Sequence, residues 1–121
     1  MDLTKLSIIF QGSSASEEER PTSGVLTSPN YPKAYPPNLN LVQKIEVPEG
    51  NTIWVHFTDF DSEQGNDDAF IKDQDGNIHQ WTTGRNAVTY GREVIDTNAA
   101  EVVFRTDGSV AGRGWRLEWG E

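Results

Sequence analysis

An all-β sandwich is the fold class this chain predicts, and three observations lead there. Apolar residues alternate with a period of two and show no sustained helical period. Turn-forming Gly, Pro, Asn and Asp residues separate these short runs. The length of 121 residues suits one domain with a modest core, for which four Trp, five Phe and three Tyr supply the bulk.

Taken in order, residues 1–22 are expected to lie outside the sandwich. Leu6 to Phe10 is apolar, and reads as a docked edge strand or as part of a neighbouring domain. Residues 11–22 are polar and acidic without an apolar anchor, which suits a flexible linker or mobile loop. The sandwich itself is placed at residues 23–121. Its first segment contains SPNYPKAYPP at residues 28–37, where Pro29, Pro32, Pro36 and Pro37 fix φ and remove donors. Each also biases its predecessor to extended geometry, so Asn30 to Pro37 reads as a rigid extended loop carrying Tyr31 and Tyr35.

Ile45 and Val47 alternate ahead of a turn at Pro48-Glu49-Gly50-Asn51. Ile53, Val55 and Phe57 point one way, with Trp54 and His56 opposite. A strand around Ala69 to Lys72 and another around Ile78 to Trp81 flank an Asp75-Gly76-Asn77 hairpin turn. Val102 and Phe104 alternate with Val103 and Arg105, and Trp115, Leu117 and Trp119 alternate with Arg116 and Glu118. Trp81, Trp115 and Trp119 read as core aromatics, Trp54 as the exposed one, and His56 and His79 as facing solvent.

Charge narrows the partners. The formal net charge is −9 and the isoelectric point about 4.6. Nucleic acid and anionic membrane surfaces repel such a chain, so basic partners or a cation fit better. No apolar run is long enough to span a bilayer, so no membrane insertion is expected. The first ten residues lack the pattern of a secretory leader, which leaves a cytoplasmic chain or an excised mature domain. Cysteine is absent, which on its own leans away from a small secreted domain.

Asp59, Asp61, Glu63, Asp67 and Asp68 crowd one stretch, and Asp107 lies far along the chain. Carboxylates so close repel each other unless a cation neutralises them, and a hard cation such as calcium takes six to eight oxygen ligands. The acids alone do not say which of them bind, and a solvated acidic loop is the plain alternative. Asp73-Gln74-Asp75-Gly76-Asn77 starts like an EF-hand loop, but its glycine comes too early and no closing Glu follows. No motif of a serine, cysteine, zinc or P-loop enzyme is present, and same-loop acids such as Asp61 and Glu63 make poor glycosidase partners.

The order of motifs resembles the CUB domain of extracellular proteins. From Gly24 the chain reads GVLTSPNYP, then YPPN, IEVPEG, IWVHF and FDSE, and later DAFI, FRTDGS and GRGWRLEW. The resemblance runs from about Ser23 to Trp119. It implies a jelly-roll-like sandwich of two antiparallel sheets, a secreted or extracellular setting, and a non-catalytic recognition module of a larger protein. It also implies one calcium ion held by Glu63, Asp68 and Asp107, with the Ser109 loop adding a carbonyl oxygen, while Asp61 is a structural acid. The outer oxygens of Glu63 and Asp107, with the Ser109 hydroxyl and Tyr35, would then receive a Lys or Arg of a protein partner. A glycan held on an exposed aromatic, Trp54 or Tyr35, is the competing partner, and a purely structural spacer the third. Departures from the pattern are Leu41, Gly65 and Thr83 where the family carries cysteines, Gln43 where it carries an aromatic residue, and Asp67 at a position that is often Tyr.

Overall fold

A computed structural model describes residues 22–87 and 89–121 of the chain. The expected strand at Leu6 to Phe10 and the linker up to residue 21 lie outside the described residues. Eight strands follow: β1 (Ser23–Thr27), β2 (Asn40–Glu46), β3 (Ile53–Asp61), β4 (Asp68–Asp73), β5 (Ile78–Thr83), β6 (Glu93–Ile95), β7 (Ala99–Arg105) and β8 (Gly114–Gly120). They form two four-stranded sheets, ordered β1-β8-β3-β6 and β2-β7-β4-β5, with every pair antiparallel. The all-β sandwich expected from the period-two pattern is the fold observed.

The alternating positions form the core. Ile53, Val55 and Phe57 of β3, Trp115 and Leu117 of β8, Ala69 and Ile71 of β4, and Val102 and Phe104 of β7 are all buried in one cluster. Burying each large side chain among them is worth roughly 1.5–3 kcal/mol. Aromatic rings meet edge to face at the centre, with centroids 5.6 Å apart for Phe57 and Trp115 and 5.8 Å for Phe104 and Trp115. Leu41, where the resemblance puts a cysteine, packs against this core and pairs with Phe104. Gly65 and Thr83, two further such positions, are joined by a 2.9 Å hydrogen bond from the Gly65 N–H to Thr83 Oγ1.

Three readings are corrected. The proline-rich segment turns where an extended loop is expected: Tyr31 N–H donates to the Ser28 carbonyl and Lys33 N–H to that of Asn30, with Asn30 at positive φ and Tyr31-Pro32 cis. Trp81 is 50% exposed, because β5 is an edge strand and the ring points away from the inter-sheet core. His79 does not face open solvent. It sits half-buried between two carboxylates, with Nε2 2.9 Å from Asp73 Oδ2 and Nδ1 2.7 Å from Glu93 Oε2.

Antiparallel pairing sends the ends of β1, β3, β5 and β7 and the starts of β2, β4 and β8 to one end of the sandwich. The loops holding Tyr35, Glu63, Asp67, Asp107 and Ser109 therefore share that end. Close packing there depends on glycine: at Gly114, with φ of 91°, an added Cβ would collide with the Ser28 side chain. The Ser28 hydroxyl accepts the Trp115 N–H at 2.9 Å and ties the exit of β1 to β8.

Candidate metal centre

Glu63, Asp67 and Asp107 converge, with one carboxylate oxygen of each lying within 4.8 Å of the others. The loop after β3 supplies Glu63 and Asp67, and the loop after β7 supplies Asp107. The first loop is wound tightly, since the N–H groups of Asn66 and Asp67 both donate to the Glu63 carbonyl. Its far end is pinned by hydroxyls: Ser62 Oγ and Thr83 Oγ1 donate to the Asp67 carbonyl at 2.9 and 2.7 Å. Gly84 N–H in turn donates to Ser62 Oγ, so the end of β5 holds the acidic loop in place.

Asp67 is the anchor of the cluster. It is 1% exposed, and both carboxylate oxygens have protein donors: the Asp107 N–H reaches Oδ1 at 2.9 Å and the Tyr35 hydroxyl reaches Oδ2. Ser109 Oγ lies 2.8 Å from both Glu63 Oε1 and Asp107 Oδ1, and the Ser109 N–H donates to the same Asp107 oxygen. That N–H, followed by the hydroxyl, holds the Asp107 carboxyl below the usual carboxylate range. Among the described residues no ion pair involves Glu63, Asp67 or Asp107. A buried carboxylate beside two others, without a described basic side chain paired to any, is a site of high negative potential. Three hard oxygen donors from two loops, with the Ser109 oxygen beside them, fit a calcium ion completed by water.

One expected ligand, Asp68, lies elsewhere, and one expected contact residue, Tyr35, lies beneath the cluster. Asp68 does not reach the cluster: its carboxylate pairs with Arg105 through Nε and Nη2 at 3.0 and 2.8 Å and accepts the Trp81 indole N–H at 2.8 Å. Strand phase explains this. Ala69 and Ile71 of β4 point into the core, so Asp68, Phe70 and Lys72 point outward, and Asp67 is the acid turned toward the interior. The apolar Ala69 and Ile71 are legible in the sequence and carry the signal that selects Asp67. Tyr35 is only 3% exposed and cannot touch a partner directly. It serves the site from below, since its hydroxyl donates to Asp67 and accepts the Glu63 N–H at 3.3 Å. Burial, then the bond to Asp67, pushes its phenol up to about 12.

A second tier of charge stiffens the same end. Asp61 accepts the Asn86 and Arg113 N–H groups at 2.8 and 3.1 Å and pairs with Arg85, a structural role. Burial works to raise its pKa, but these N–H groups and the two arginines outweigh burial and leave it low. Asp59 is gripped by Arg113 through two nitrogens and by the Tyr31 hydroxyl, and the Arg113 bonds hold its carboxyl down at about 2. Trp54, expected to be exposed, is half-buried under Arg92, whose guanidinium lies 3.8 Å from the ring centroid.

Comparison with known proteins shows the family and the fold. The family model for the CUB domain matches residues 15–119. Human cubilin is 31% identical over 102 residues, covering 80% of this chain and 3% of cubilin. Embryonic protein UVS.2 of Xenopus laevis is 28% identical over 125 residues, covering 99% of this chain and 24% of that protein. The chain thus spans only a small part of these relatives. Among solved structures, the MASP-1 CUB2 domain bound to Ca2+ superposes with a TM-score of 0.73 at 26% identity, covering 84% of this chain and 94% of that domain. The full extracellular region of zebrafish Gpr126/Adgrg6 contains a match with a TM-score of 0.71 at 27% identity, covering 83% of this chain and 14% of that region.

Proposed function

The chain belongs to the CUB domain family, and from that premise we propose that it is a calcium-dependent protein-recognition module whose partner presents a Lys or Arg side chain. CUB domains are protein-interaction modules of extracellular proteins and are generally non-catalytic. The observation that carries the finer reading is the convergence of Glu63, Asp67 and Asp107 without a described basic partner. The Ca2+-bound MASP-1 domain lends it support.

Asp67 is the fixed inner ligand, oriented by the Tyr35 hydroxyl and the Asp107 N–H. Glu63 and Asp107 would help hold the ion from the two loops and would also face an incoming partner. A bound calcium ion supplies the positive charge that offsets repulsion among the three acids. With the two acids held by the ion, the Ser109 hydroxyl that now lies between Glu63 and Asp107 would be able to turn to an incoming ammonium or guanidinium. The net charge of −9 raises the encounter rate with a basic surface, an effect that salt screens.

The test is binding of a pentalysine peptide, measured in calcium and in excess EDTA, with Glu63→Gln alongside. Calcium-dependent binding that Glu63→Gln abolishes is the expected result. Binding that is equal or stronger in EDTA would reduce the interaction to general attraction between opposite charges and sink the reading.

A further inference from the structure

Beside the acidic loop at residues 63–67, two exposed aromatic rings frame a cleft along the edge strand β5. Trp81 is 50% and Tyr90 66% exposed. Both rings line two adjoining cavities, of about 360 and 430 Å³. Gln64, Thr83, Asn86 and Arg85 line the first with the rings, and Glu93 helps line the second. From this cleft we propose a second binding site, for a neutral oligosaccharide stacked on Trp81 and Tyr90.

The Trp81 ring is held ready for that task. Its indole N–H donates to Asp68 Oδ2 at 2.8 Å, and Arg105 clamps the same carboxylate through two nitrogens. Arg105 also lies over the Phe70 ring, 5.1 Å from its centroid. This chain of contacts fixes the edge of the indole and leaves half of the residue's surface to solvent. A pre-oriented ring loses little freedom on binding, which is what a weak stacking interaction needs. The faces of sugar rings carry C–H groups that pack on aromatic faces, while their hydroxyls need hydrogen-bonding neighbours.

The walls select a neutral, polar ligand. Gln64 and Asn86 are exposed amides, and the Tyr90 hydroxyl and Gln64 amide make no hydrogen bond among the described residues. Asn86 Oδ1 accepts from Arg113, which leaves its NH2 group to donate. The cation at the rim, Arg85, is committed to Asp61 and the Ala111 carbonyl, so an anionic sugar gains little there. The chain's net charge of −9 further disfavours acidic glycans. A protein hot spot fills a dry apolar pocket, whereas the Gln64 and Asn86 amides and the Thr82 and Thr83 hydroxyls line the first cavity, and Gln80 and Glu93 flank the two rings in the second. The cavities are of ligand size.

The test follows the indole N–H resonances of the four tryptophans by NMR, assigned with Trp81→Phe, during titration with N-acetylchitotriose, maltotriose and mannotriose in calcium. At least one trisaccharide is expected to shift the Trp81 signal saturably at millimolar concentration, with the Trp54 and Trp119 signals unmoved. Tyr90→Ala should weaken that binding about tenfold, and Trp81→Ala, followed through the backbone amide signals of Thr82 and Thr83, should abolish it. No response of Trp81 to any of the three, or equal affinity in Tyr90→Ala, overturns the site. A protein ligand that contacts Trp81 in the absence of any saccharide response assigns the cleft to protein and overturns it too.

Discussion

Tyr35 and Asp67 lie far apart in sequence, yet the phenol of one donates to the buried carboxylate of the other. Tyr35 leans on the core, its ring edge to face with Phe104 at 4.9 Å, and its hydroxyl reaches the acidic loop. The sandwich core and the candidate metal centre are thereby joined through one side chain.

Removing that hydroxyl should therefore weaken both. Tyr35→Phe keeps the ring and leaves a buried carboxylate short of a donor, at a cost of roughly 1–3 kcal/mol. The expected outcome is a melting temperature lower by several degrees and a weaker calcium affinity, read by calorimetry. Unchanged calcium affinity would mean that Asp67 is positioned by its backbone alone.

Gln43 predicts the opposite sign. It pairs with buried Val102 on the inner side of β2, and its buried Oε1 has no hydrogen-bond partner among the described residues. Gln43→Leu removes the orphan acceptor and adds apolar surface to the core, so thermal melts should show a gain of about 1–2 kcal/mol. A loss would show that the amide makes a bond to ordered water.

The His79 clasp gives stability a pH window. Burial lowers the His79 pKa, but the hydrogen bonds and charges of Asp73 and Glu93 outweigh it and leave the value raised above 6.5. A raised pKa contributes stability that is fully present below 6.5 and is lost as pH climbs through the folded value. Asp73, held down at about 2 chiefly by the His79 bond, adds stability above 3.8 that is lost as pH falls toward 2. Melting temperature should therefore fall from pH 6 to pH 9 in the wild type, and His79→Gln should flatten that slope. An unaltered slope in the variant would place the titration elsewhere.

Much of the fold is legible in the chain. Alternation at Ile53, Val55 and Phe57 and at Trp115, Leu117 and Trp119 reports inward-facing strands, because the pleat has a period of two. The family resemblance groups Glu63, Asp107 and Ser109, and the structure brings the three together. It gathers Asp67 with them and turns Asp68 away, since in a strand one residue exchanges the two faces. The pattern misplaces Trp81 and His79 because burial on an edge strand depends on what covers it. Short-range pattern also does not reveal the distant carboxylate of Glu93.

The calcium response of two neighbouring variants tests the central claim most directly. Melting temperatures would be taken in millimolar calcium and in excess EDTA for the wild type, Asp67→Asn and Asp68→Asn. A metal that binds only the folded state adds RT ln(1 + [L]/Kd), about 2.7 kcal/mol at a hundred times Kd. The wild type and Asp68→Asn should gain several degrees from calcium, and Asp67→Asn should gain little or nothing. A wild type that melts identically in calcium and EDTA, or an Asp67→Asn variant with the full gain, would contradict the assignment of Glu63, Asp67 and Asp107 as the metal centre.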